Sequence, residues 1–305
     1  MNTLDTKFTP LITAIASQLY GKEESITLTL AAFFAKGHLL VEDIPGVGKT
    51  TLARALASVL GLEFGRIQFT SDLLPSDILG VNYFDQKKSD FVFKKGPIFT
   101  QFLLADEINR SMPKTQSALL EAMEEGRISI DREVYTLQEP FFVMGTQNPY
   151  EEVGTFRLPD SQLDRFICAL RIGYPEYEAE RAILSRQKPK SIDISPPFTT
   201  QELLAMQSEV TQVHLSDALL DYLQSIIALS RNGAYFVHGL STRGALALAS
   251  MSRAWAYLHS RNYAIPDDVT TVAPYVCLHR LKFTEGKTTI ERLRNVISEN
   301  THPDA

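Results

Sequence analysis

Three apolar runs of the chain end in residues that could bind and split a phosphate anhydride. The first, HLLVEDIPGVGKTTLARALA at 38–57, passes from an apolar stretch through a glycine-bearing turn into Lys49, Thr50 and a helix-like segment. In a phosphate-binding loop, backbone N–H groups and the N-terminus of the following helix surround the anion, lysine adds a point charge, and the hydroxyl takes up Mg2+. The donors here would come from Gly46, Val47, Gly48, Lys49 and Thr50, with Thr51 next in the same first turn. The usual spacing asks for a further glycine at position 43, which is Asp43. A carboxylate turned inward would repel phosphate and mark a decayed site, whereas one at the strand exit, upstream of the donors, need not touch it.

The second run, QFLLADEINR at 101–110, ends in Asp106 and Glu107. Asp106 can join the Mg2+ shell and Glu107 can polarise an attacking water. The third, PFFVMGTQNP at 140–149, ends in Asn148, an uncharged group able to orient that water, or else an Asx-type turn before Pro149. Each ending alone is a common turn. In this order, on successive apolar runs, they point to a single site for ATP and Mg2+.

Such residues converge only if their strands lie side by side. Strand-like runs fall at 38–42, 66–70, 101–105, 140–146 and 167–172, separated by helical periodicity. Near-continuous apolar strands alternating with helices predict a parallel sheet covered on both faces. Two stretches, 80–97 and 127–137, alternate on both sides of a polar turn and predict inserted β-hairpins. Beyond Gly173-Tyr174-Pro175 the strand signal fades, Leu219, Leu220, Leu223, Ile226 and Ile227 fall at helical spacing, and Ser241 or Thr242 can cap a further helix. The expected organisation is an α/β nucleotide-binding core over 1–175 and an all-α lid over 176–305. Leu11, Ile15 and Leu19 predict an amphipathic N-terminal helix before Gly21.

Bulk properties narrow the class. Of 305 residues, 44% are hydrophobic and 22% charged, as in ordinary globular proteins, and the net charge is −6. A nucleic-acid binder would carry a basic excess. The one local basic pattern, Lys87, Lys88, Lys94 and Lys95 around Phe91 and Phe93, is interrupted by Asp85 and Asp90 and reads better as a strand with a packed aromatic face. Two cysteines, Cys168 and Cys277, sit in apolar runs and read as core residues of a reducing compartment, and the six histidines have no zinc spacing. No run approaches the ~20 apolar residues of a membrane span. The expected location is the cytoplasm.

The chain resembles the MoxR-type AAA+ ATPases, chaperone-like proteins related to the magnesium-chelatase ATPase subunit and the minichromosome-maintenance helicases. The resemblance runs from about residue 10 to 285 and rests on GHLLVEDIPGVGKTTLARALA, GPIF, ADEINRSMPKTQSALLEAMEEG, GTQNP, LPDSQLDRF, GLSTRGALAL and HRL. An acidic residue is usual in that family where Asp43 stands. The resemblance implies that Arg165 is an arginine finger donated to a neighbouring subunit, that Arg243 is a sensor reaching nucleotide from the lid, and that Gly21 lies where adenine is held. On the residues alone, Arg165 could instead pair with Asp164 or Asp160. Arg110 is expected to face the adjoining subunit, and the hairpins to face the pore of a ring, a hexamer by resemblance.

The function implied is ATP hydrolysis that remodels or matures a protein client, with a partner carrying a von Willebrand factor A domain. Three alternatives stand beside it: a magnesium-chelatase-like subunit, a DNA-remodelling motor, and a nucleotide-gated scaffold with little turnover.

Overall fold

In the computed structural model, which describes residues 4–131, 133–151, 153–185 and 196–302, the expected apolar runs form a five-stranded sheet. Residue 132 of the second predicted hairpin and 186–195 of the predicted lid lie outside the described residues. The chain begins with α1 (Thr9–Ala16), α2 (Glu23–Phe34), β1 (Leu39–Glu42), α3 (Lys49–Leu60) and β2 (Phe64–Gln68). Next come α4 (Pro75–Leu79), β3 (Gly80–Asp85), β4 (Asp90–Lys95), β5 (Phe102–Asp106) and α5 (Pro113–Glu125). After these stand β6 (Arg127–Ile130), β7 (Glu133–Thr136), β8 (Phe142–Gln147), α6 (Asp160–Leu163) and β9 (Cys168–Leu170). The remaining elements are helices: α7 (Tyr177–Leu184), α8 (Thr200–Thr211), α9 (Asp217–Arg231), α10 (Thr242–Leu258), α11 (Pro266–Cys277) and α12 (Ile290–Asn300).

The sheet order is β2-β5-β8-β1-β9, with every neighbouring pair parallel. Alternation along each strand divides the core in two. Leu39, Val41, Leu104 and Met144 join one buried cluster with α1–α3 and α8–α11, while Leu40, Leu103, Ala105 and Val143 join the other with α5. The C-terminal helices therefore share a core with the sheet, and Gln207 of α8 donates to the Phe33 carbonyl of α2 at 2.8 Å. Both cysteines are buried in these clusters, where burial pushes their thiols up to about 12. No described helix is long and apolar enough to cross a membrane.

Both predicted hairpins form, β3 with β4 and β6 with β7. They touch each other: Asn82 donates to Asp131 at 2.7 Å, and Phe93 stacks on Tyr135 with centroids 4.1 Å apart. Phe93 is thus the packed aromatic of β4, whereas Phe91 is 69% exposed and meets only Phe84 among the described rings. The N-terminal helix is shorter than its periodicity suggests. It stops at Ala16, and Leu19 lies in the following turn, still buried because it packs beside the Gly48 backbone.

Candidate functional site

Strand register sets the site. Gln68 of β2 stands opposite Asp106 of β5, Ala105 opposite Gly145 of β8, and Val41 of β1 opposite Thr146. The C-terminal ends of β2, β5, β8 and β1 therefore finish along one edge, where open parallel sheets bind ligands. Thr146 Oγ1 donates to Asp106 Oδ1 at 2.6 Å and accepts from the Glu107 amide at 2.9 Å, which fixes the two acidic residues to the third strand. Glu107 itself sits at φ 57° and ψ 49°. A non-glycine residue there costs about 1–2 kcal/mol, a strain that tends to persist at functional positions.

The loop after β1 fits a phosphate group. Gly46 and Gly48 have φ of 86° and 98°, accessible to glycine at little cost. A Cβ on Gly46 would meet no atom within 4 Å, so the loop is open there, whereas one on Gly48 would lie 2.6 Å from Leu19 Cδ1. The segment before Gly21 is thereby placed against the loop. Val47 is buried, and Lys49, Thr50 and Thr51 open α3, so the helix N-terminus faces the cradle. Lys49 Nζ donates to the carbonyls of Asp43 and Ile44 at 2.7 and 3.0 Å. Burial pulls its ammonium below the usual lysine range, opposed by the charges of Asp43, Asp106 and Glu107.

Asp43 turns away from the cradle. Its Oδ1 accepts from the Ile44 amide at 2.9 Å and its Oδ2 from the Gly173 amide at 2.6 Å, beyond β9. The carboxylate serves as a tie between the exits of two neighbouring strands.

Two residues here carry no signal of their role in the sequence. Arg66 and Gln68, on one face of β2 by period-two alternation, reach across to the acidic pair. Arg66 Nη2 donates to Asp106 Oδ2 and Gln68 Nε2 to Glu107 Oε2, both at 2.7 Å. Arg110 approaches Glu107 Oε2 at 3.2 Å and also pairs with Glu151, so its cation lies beside the acidic site of its own chain. Asn148 Oδ1 accepts from the Tyr150 amide at 3.1 Å, the Asx-type turn, while the residue lines a cleft of about 290 Å3 with Asn109 and Lys282.

Arg165 and Arg243 meet elsewhere. Arg165 lies three residues before Cys168, which pairs with Leu39 at the start of β1, so it stands at the N-terminal edge of the sheet. That edge is removed from the phosphate loop by the strand height, roughly 10–13 Å at ~3.3 Å per residue. Arg165 Nη1 donates to the Leu120 carbonyl at 2.7 Å and lies 3.1 Å from Glu124 Oε2, while Arg243 pairs with Glu124 Oε1. Glu124 is at the end of α5, a 13-residue helix that starts just after Glu107 and runs away from it for about 20 Å. Neither Asp160 nor Asp164 takes Arg165, since Asp160 pairs with Lys282 and Asp164 with Arg280. The sequence does not mark Glu124, the residue that joins the two arginines, because only tertiary packing brings α5 and α10 together.

Known proteins share the family and the fold of this chain. Residues 38–168 match the family described as ATPase family associated with various cellular activities (AAA), and 228–299 match its AAA lid domain. The chain is 47% identical over 265 residues to the uncharacterized protein YeaC of Bacillus subtilis, covering 86% of this chain and 83% of that one. It is 38% identical over 280 residues to Chaperone MoxR1 of Mycobacterium tuberculosis, covering 87% and 73%. A crystal structure of a candidate ATPase from Cytophaga hutchinsonii superposes with a TM-score of 0.87 at 34% identity, covering 97% and 95%. With the sheet, the phosphate loop and the acidic pair in this arrangement, the chain belongs to the MoxR-type AAA+ ATPases, chaperone-like nucleotide-binding enzymes that hydrolyse ATP.

Proposed function

We propose that this ATPase works as a ring, with each nucleotide site completed by the neighbouring chain, and that turnover remodels or matures a protein client. The observation carrying this reading is the shared ion pair of Arg165 and Arg243 with Glu124, on the sheet edge opposite Lys49, Asp106 and Glu107. Two cations fit to stabilise a transferring phosphoryl group are held at the edge of the sheet opposite their own chain's phosphate loop. In a ring they would serve a neighbour's.

In this reading the amides from Gly46 to Thr51 and the Lys49 ammonium hold the β- and γ-phosphates, and the segment around Gly21 flanks the adenine. Thr50 and Asp106 would hold Mg2+, which supplies charge to neutralise the phosphate oxygens. Glu107 takes the proton from the attacking water, and Asn148 orients that water through its amide. The neighbour's Arg165 and Arg243 meet the charge that spreads over the phosphoryl oxygens as the bond to the leaving group lengthens, an interaction worth roughly 10³–10⁵ in rate for an arginine finger. The chain divides functionally at about 175, into a core and a helical lid that can move with nucleotide state. The MoxR resemblance supports a hexamer and a partner with a von Willebrand factor A domain.

The test is ATPase rate per chain across a dilution series, with assembly followed by sedimentation. Activity should rise with assembly and vanish with the monomer. A fully active monomer would defeat the reading.

A further inference from the structure

We infer that Arg280 is a positioning residue for the arginine finger, and that through Asp164 it presents Arg165 and Arg243 as one unit. The inference rests on the ring reading above and goes beyond it in naming the group that holds the finger in place.

Arg280 follows α11, and its side chain is only 4% exposed. Every N–H direction of its guanidinium is directed at the finger loop or at its own helix end. Nε donates to Asp164 Oδ1 at 2.6 Å, and Nη2 donates to the carbonyls of Asp164 at 3.1 Å and Phe166 at 2.6 Å. Nη1 donates to the carbonyls of Ile167 at 3.0 Å and Val276 at 2.7 Å. The residues bound, 164, 166 and 167, bracket Arg165 on both sides. His279 adds a contact from its Nε2 to the same Phe166 carbonyl at 3.0 Å. Burial holds this imidazole neutral, its pKa well below the usual range, so Nε2 carries the proton and donates it.

The second oxygen of Asp164 completes the link. Ser241 Oγ donates to Asp164 Oδ2 at 2.6 Å, and the same hydroxyl accepts from the Gly244 amide at 2.9 Å as the N-cap of α10. Arg243 lies in the first turn of that helix. Gly244 leaves room for the clamp, since a Cβ there would stand 3.2 Å from Arg280 Cδ and 3.3 Å from its Nε. One carboxylate thus joins the clamp on the finger loop to the helix that carries the second arginine. Lysine could not replace this clamp, because an ammonium has three donors and no planar fork. A finger misplaced by about 1 Å can lose on the order of 10²-fold in rate.

Hybrid rings separate this role from a general structural one. Lys49→Ala supplies an intact finger to Arg165→Ala, which supplies an intact phosphate loop, and the mixture of these two is the baseline. Arg280→Lys is then added to one chain or the other. In the Lys49→Ala chain, which donates the finger, it should lower kcat by about 10–10²-fold with the ATP KM within about twofold. In the Arg165→Ala chain, whose finger is already gone, it should leave the baseline within about twofold. Equal losses in both positions, or no loss in either, would overturn the inference. A baseline that stays inactive although subunits exchange would instead remove the ring reading itself. Thermal midpoints accompany each variant. If Arg280→Lys fails to fold, Asp164→Asn, which keeps the shape of the side chain but weakens its bond to Arg280, is placed in the same two positions. The same asymmetry is expected, and its absence counts equally against the inference.

Discussion

The carboxylate of Asp43 accepts the Gly173 amide at 2.6 Å, tying the exit of β1 to the segment after β9. An acidic residue at the position where a phosphate loop usually has glycine is therefore compatible with ATP binding, because the charge is spent on two backbone amides outside the cradle. Asp43→Ala should cost about 1.5–3 kcal/mol of stability, the range for hydrogen bonds to a charged group. ATP affinity, measured by titration at matched folded fraction, should change by less than about tenfold, or ~1.4 kcal/mol. A much larger gain in affinity would mean that Asp43 opposes phosphate.

Glu107→Gln should keep ATP affinity near wild type and lower turnover by about 10²–10⁴, the range for losing a general base. Lys49→Ala should lose binding instead. Normal single-turnover hydrolysis by Glu107→Gln would remove Glu107 from the role of base.

Arg66 pairs with Asp106, the carboxylate that would hold Mg2+, and would compete with the ion for its charge. The pair is half-exposed on the arginine side and is worth at most about 1 kcal/mol. Arg66→Ala should lower the Mg2+ concentration for half-maximal ATPase by up to about fivefold. A raised requirement would show that Arg66 supports the metal site rather than competing with it.

The three strand endings were legible because each motif is contiguous: loop, acidic pair and Asn148 follow their own apolar runs, and near-continuous apolarity announces a parallel sheet. The hairpins were legible through period-two alternation around polar turns. Gln68 and Arg66 were not, since their role depends on β2 lying next to β5, an order that alternation along a single strand does not encode. Glu124 and Arg280 escaped for a similar reason. One meets its partners at the far end of α5, and the other acts on a loop more than 110 residues earlier in the chain. The fate of Arg165 shows the same limit. Its neighbours Asp160 and Asp164 were the nearest carboxylates in sequence, yet tertiary packing gives them to Lys282 and Arg280.

His38 predicts a pH dependence of stability. It is buried just before β1, where Nδ1 accepts from the Val143 amide at 3.1 Å and Nε2 donates to the Met123 carbonyl at 3.0 Å, so it is held neutral. Burial lowers its pKa to about 4 against 6.5 when unfolded. Above 6.5 the folded state keeps this contribution in full. As pH falls from 6.5 toward 4 the unfolded chain takes up a proton that the folded chain refuses, and on the order of 3 kcal/mol is lost. The buried neutral His279 acts in the same direction. Denaturant midpoints should fall over this window in wild type and fall less steeply in His38→Gln. Equal slopes would contradict the assignment.

The most direct test of the ring account asks whether both arginines serve the neighbour's site. The double variant Arg165→Ala/Arg243→Ala keeps its phosphate loop but has neither cation, and Lys49→Ala keeps both cations but has no working loop. Each should be inactive alone. Mixed under conditions where subunits exchange, they should recover ATPase activity, because a hybrid interface reunites an intact loop with both arginines in trans. Recovery only when Arg243 is left intact on the loop-bearing chain would place that arginine in its own site. A mixture that exchanges and remains inactive, whichever chain carries Arg243, would contradict the account.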